Sequence, residues 1–163
     1  MNRPIEVFSS QEELDACLKW WQHRLYLDGW IIKVRVVDCI TDADGNIQDA
    51  VGLNQLTLVK SMSYIQILSE SSYIKKNFMC GHICMEQTLV HELLHCIYNW
   101  IDGNENYEGV YFVAREHQQI EQMAKSLIMA KYNLDYDYFE KQSGNNGAVV
   151  SGRNVAGEPE GGA

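Results

Sequence analysis

A chain of 163 residues is the length of one domain and can bury a core without disulfides or oligomer contacts. Hydrophobic residues make up 46% and charged ones 21%, which excludes wholesale disorder. With 13 basic against 22 acidic residues the net charge is −9, a field that repels phosphate backbones and argues against nucleic-acid binding by bulk charge. No apolar run reaches the ~18 residues of a membrane span, and none follows Arg3 in the manner of an export signal. The five cysteines are accordingly expected as reduced thiols of a cytoplasmic protein.

Ser10-Gln11-Glu12-Glu13 has the spacing of a capping box. Behind it Leu14, Cys17, Leu18, Trp21 and Leu25 recur at steps of three and four, which predicts a helix ending near Asp28-Gly29. Trp30 to Cys39, rich in Ile and Val, reads as a strand. Asp42-Ala43-Asp44-Gly45-Asn46 is a turn, and Val51–Val59 and Tyr64–Leu68 are further strands, the last ending in Ser69-Glu70-Ser71-Ser72. A second helix is predicted from Glu86 to Ile101. A third runs from Val113 to Tyr132, with Ile120, Ala124, Leu127 and Ile128 as its apolar stripe. Residues 143–163 hold six of the twelve glycines and almost nothing large, so a domain over 1–142 is expected to carry a disordered tail. Helix, strands, then two helices is an α+β order.

The second helix contains His91-Glu92-Leu93-Leu94-His95, an H-E-x-x-H sequence. Residues four apart on a helix lie about 40° apart around its axis, so His91 and His95 project side by side and can share one Zn²⁺. Glu92 sits about 100° from His91, beside the metal's open position rather than as a ligand. There it can take a proton from an attacking water. Two histidines and a glutamate are costly to place among Leu89, Val90, Leu93, Leu94 and Ile97 unless they have partners.

A hydrolytic zinc site needs a third protein ligand. The third helix offers His117 and Glu121, four apart on one face, with Glu116 on the other side. Glu121 is the preferred ligand, with His117 as the alternative; whichever is not the ligand would orient one or hold the oxyanion. Tyr107 and Tyr111, between the two helices, are candidates for stabilising a tetrahedral oxyanion.

The runs Thr88–His95 and Glu116–Ala124, with the tryptophan-started strand Trp30-Ile31-Ile32-Lys33-Val34, resemble the zincin metallopeptidases. The closest likeness is to a gluzincin-like arrangement in small bacterial and phage-encoded members, and it spans residues 10 to 132. The resemblance implies a zincin-like fold: an N-terminal helix, a small twisted sheet, the HExxH helix and a following helix that supplies a glutamate ligand. The metzincin branch is excluded, because Tyr98 and Ile101 stand where it needs Gly and His. Ile120 stands where the thermolysin-like pattern has Asn.

The functional expectation is a zinc metallopeptidase acting on peptide or protein substrates. Zinc would be held by His91, His95 and Glu121, with Glu92 as general base and then proton donor to the amine. The rival is a zinc-binding regulatory or partner-binding protein of the same fold, phage-encoded and contacting a basic partner through its −9 charge. Glu92 argues against that rival, since a structural site has no use for a base. Cys80-Gly81-His82-Ile83-Cys84 reads as free thiols rather than half of another zinc site, and Trp20, Trp21 and Trp30 read as core.

Overall fold

The computed structural model describes residues 3–76, 83–101 and 110–139. Within them the fold is mixed α+β, with four helices and one three-stranded sheet: α1 (Gln11–Arg24), β1 (Ile31–Val37), β2 (Gly52–Thr57), β3 (Met62–Leu68), α2 (Glu70–Lys76), α3 (Met85–Ile101) and α4 (Val110–Tyr132). Residues 143–163, expected as a disordered tail, lie outside the described residues.

The predicted cap of α1 forms in altered dress. Ser10 Oγ accepts from Glu13 N, but the Glu13 carboxylate reaches Ser9 N (2.7 Å) and Ser9 Oγ (2.8 Å) instead of returning to Ser10. The helix stops before Asp28-Gly29. Tyr26 takes a left-handed φ of 56°, Leu27 N bonds Gln22 O and Tyr26 N bonds His23 O, the paired closure of a helix C-terminus with tyrosine in the place usual for glycine. Four residues of the predicted stripe, Leu14, Cys17, Leu18 and Trp21, are buried.

β3 is the central strand, parallel to β1 and antiparallel to β2. The chain from 38 to 51 must therefore pass the end of β3 to reach the far edge. It is fastened on the way: Gln66, 1% exposed, donates to Thr41 O (2.6 Å) and accepts from Thr41 N (3.3 Å). Asp42 closes the expected turn by accepting from Asp44 N and Asn46 N. Leu68 N then bonds Val51 O, which brings the start of β2 to the end of β3.

Ser69-Glu70-Ser71-Ser72, expected only to end a strand, opens α2: Ser72 N donates to Ser69 Oγ. One face of the sheet and the helices share a core that includes Leu14, Trp21, Val34, Ile65, Leu89, Leu93, Ile120, Ala124 and Ile128. Trp21 and Trp30 are buried in it, and Trp20 packs against it with its ring edge-on to Trp21.

Helices α3 and α4 meet in opposite senses, Glu86 against Lys131 and Tyr132, His91 against Glu121, His95 against His117. Glu86 fixes that register. Fully buried, its carboxylate accepts from Ile5 N (2.9 Å), Trp21 Nε1 (2.8 Å), Lys131 Nζ (2.5 Å) and Tyr132 OH (2.7 Å), so no lone pair is wasted and the charge is paired.

Candidate metal centre

The helical spacing sets His91 and His95 on one face of α3, with ring centroids 5.1 Å apart. Across from them α4 presents His117, whose ring lies 5.5 Å from His91 and 4.9 Å from His95. One ring nitrogen from each of the three falls within 4.8 Å of the others. Among the described residues this is the group of histidines, cysteines and acids that could hold a metal ion.

Their protonation suits that task. Burial holds His95 down to about 4, helped by the neighbouring His91 and His117, and burial likewise lowers His117. Both are neutral at pH 7 and keep a lone pair for a cation.

Glu121, expected as the third ligand, is placed on His91 instead. Its Oε2 lies 3.2 Å from His91 Nδ1, while Oε1 accepts from Gln87 Nε2 (2.8 Å) and Lys125 Nζ (3.0 Å). The His91 hydrogen bond, with Lys125 and Gln87, outweighs burial and depresses this carboxyl to about 2. An ionised carboxylate can only accept, so His91 Nδ1 is the donor of this contact, which turns Nε2 away from Glu121 as the other ring nitrogen. That is the arrangement in which a carboxylate orients a metal-binding imidazole.

Glu92 lies inside the fold at 6% exposure, and burial raises its carboxyl to about 7 against a smaller opposing pull from His91. The sheet makes room for it. A Cβ on Gly52 of β2 would overlap Glu92 Oε1 and stand 2.7 Å from Thr88 Cγ2, so only glycine lets the strand lie against the carboxylate. Two residues along the same strand, Asn54 Nδ2 donates to Glu92 O (2.6 Å) and reaches Cys96 Sγ (3.4 Å), while Ser63 Oγ on β3 donates to Asn54 Oδ1 (2.7 Å). The HExxH turn is thus fastened to β2 by main chain and gap together.

Sequence reasoning passed over Gly52, Asn54 and Gln87. A glycine inside a strand is a signal of close approach and could have found the first; a polar side chain in a half-exposed strand carries no comparable mark. Tyr107 lies outside the described residues, as does the Tyr111 side chain, and so do Cys80 and His82. Cys17, Cys84 and Cys96 are buried free thiols, and Cys39 is an exposed one. No described helix is long and apolar enough to cross a membrane. No protein family, curated protein or solved structure matches the chain.

Proposed function

We propose that the chain is a zinc-dependent metallopeptidase of the zincin kind, with His91, His95 and His117 as ligands. The observation that carries the reading is the meeting of three imidazoles, from α3 and α4, with two of them, His91 and His117, lining one cavity beside the buried carboxylate of Glu92. The donor set suits zinc: neutral imidazoles are borderline ligands, and three of them leave a position open, as catalytic sites require.

Bound there, Zn²⁺ would supply Lewis acidity to a scissile carbonyl and lower the pKa of a water. The protein's own part is proton movement and orientation. Glu92, poised near 7, accepts the proton of the attacking water and returns it to the leaving amine. Asn54 and Gly52 hold Glu92 in register with the histidines. Glu121 fixes the ring of His91 and keeps its Nε2 turned away from the carboxylate.

The test is metal content followed by turnover. Protein purified without chelators should carry about one zinc per chain, lost in His95→Ala. The loaded chain should cleave a quenched peptide library, and Glu92→Gln should keep the metal while losing cleavage. Absence of any transition metal sinks the reading. Metal with no peptide cleaved by the wild type leaves a zinc-binding regulatory protein.

A further inference from the structure

The two borders of the sheet are unlike. β2, on one, carries Gly52 and Asn54 against the HExxH helix; β1, two strands across, forms the other. In β1 the odd-numbered residues turn their main chain toward β3: Ile31 N donates to Ser61 O (2.9 Å), and Val37 O accepts from Ser69 N (2.8 Å). Alternation then points the N–H and C=O groups of Ile32, Val34 and Val36 away from the sheet. Among the described residues one hydrogen bond reaches this edge, from Gln11 Nε2 to Val34 O (3.0 Å). That side-chain amide stands where the N–H of a further strand would stand. An edge left open over this length is a template for another chain.

Between β1 and α1 runs a groove of about 600 Å³. Its lining sets Lys19, Lys33 and Arg35 against a single acid, Asp15, in a chain of net charge −9. All three cations are exposed. The Arg35 guanidinium lies 5.0 Å over the ring of Tyr64, the residue of β3 that pairs with Lys33. On the opposite face of β1, Ile32 is half-buried and Val36 exposed. A strand laid along this edge finds cations beside one of its faces and apolar side chains beside the other.

We propose that the outer edge of β1 docks an extended acidic segment of a partner protein, which joins the sheet as a fourth strand. Its Asp or Glu residues face Lys33 and Arg35, and the apolar residues between them face Ile32 and Val36. Main-chain bonds to Ile32, Val34 and Val36 give the pairing, and the cations select the partner. A second copy of this chain is the wrong occupant. Two β1 edges would set Lys33 and Arg35 against the same cations, and like charges facing across strands repel. The docking uses neither zinc nor Glu92, so it stands apart from the metallopeptidase reading.

The probe is acetyl-Glu-Val-Glu-Val-Glu-Val-Glu-amide, as long as β1, titrated into the full-length chain in chelator and followed by amide resonances and hydrogen exchange. In the free chain the amides of Ile32, Val34 and Val36 should exchange fast. Saturating peptide should shift them and slow their exchange about ten-fold or more. Lys33→Glu combined with Arg35→Glu should weaken binding about ten-fold at low salt and should take up the peptide in which lysine replaces glutamate. That inversion shows that the variant is folded. Two further peptides are N-methylated at the valines or at the glutamates. One of them should lose binding, because one set of amides faces β1. Slow exchange before peptide is added would mean that another segment of the chain already covers the edge, and overturns the proposal. So does a peptide that leaves the three amides unshifted at millimolar concentration, binding that survives both methylations, or a preference that does not invert with charge.

Discussion

Replacing Glu92 by Gln in the metal-free protein isolates the cost of a buried carboxylate. Burial raises this carboxyl from 4.5 to about 7. The folded chain therefore holds the proton more tightly than the unfolded chain between those two values, and stability is lost as pH rises through that window. At ~1.36 kcal/mol per pH unit the full loss is about 3 kcal/mol, most of it present by pH 8. Glutamine has the same shape and no charge to desolvate. The unfolding free energy of Glu92→Gln, measured by urea denaturation in chelator, should gain about 2–3 kcal/mol on the wild type between pH 5 and 8. His95, held at about 4, gives both proteins stability as pH climbs from 4 to 6.5, and that contribution cancels in the difference. Zinc should shrink the gain, because a nearby cation favours the carboxylate form. A difference that stays within about 0.5 kcal/mol across the range would mean that Glu92 is solvated, and the argument for a poised base would fail.

Competitive titration against a chelator should separate the two groups of α4: His117→Ala should weaken zinc by more than the ~10–100-fold expected of Glu121→Gln, which loses only an orienting contact. The reverse order would restore Glu121 as the ligand. Gly52→Ala, whose Cβ meets Glu92 and Thr88, should cost about 1–3 kcal/mol in thermal or urea unfolding and remove peptide cleavage while zinc stays bound. Tyr26→Gly should stabilise the chain by about 0.5–1 kcal/mol in the same assay, since a 93% exposed tyrosine has little packing to lose and its left-handed φ is relieved. No change or a loss there would mean that the ring makes contacts its exposure does not suggest.

Local signals were read well where one side chain acts on its own backbone or helix. Ser10 announces α1, the stripe Ile120, Ala124 and Ile128 announces the buried face of α4, and the HExxH spacing pairs His91 with His95. Signals that depend on a distant partner were not. Ser69-Glu70-Ser71-Ser72 stands apart, a local signal hidden by the polarity of a loop: Ser69 caps the helix through Ser72 N, three residues on. The parallel pairing of β1 with β3 lies in no strand's own pattern; it follows from a crossing chain clamped by Gln66.

The choice between His117 and Glu121 shows the same limit at the scale of one side chain. The two residues share a helix face, so periodicity cannot rank them. What ranks them is the axial register of α4 on α3, for one turn of slip carries a side chain about 5.4 Å along the helix. Along α4 that register is fixed more than two turns from either residue, where Glu86 binds Lys131 and Tyr132. In sequence Glu86 looks like any acidic residue in a first helical turn, favoured there by the helix dipole. Its burial gives it a second task. By taking four donors from the N-terminal segment, α1 and α4, it sets His117 opposite His95 and leaves Glu121 to meet His91 Nδ1. The composition of the candidate metal centre thus depends on a carboxylate that touches none of its histidines.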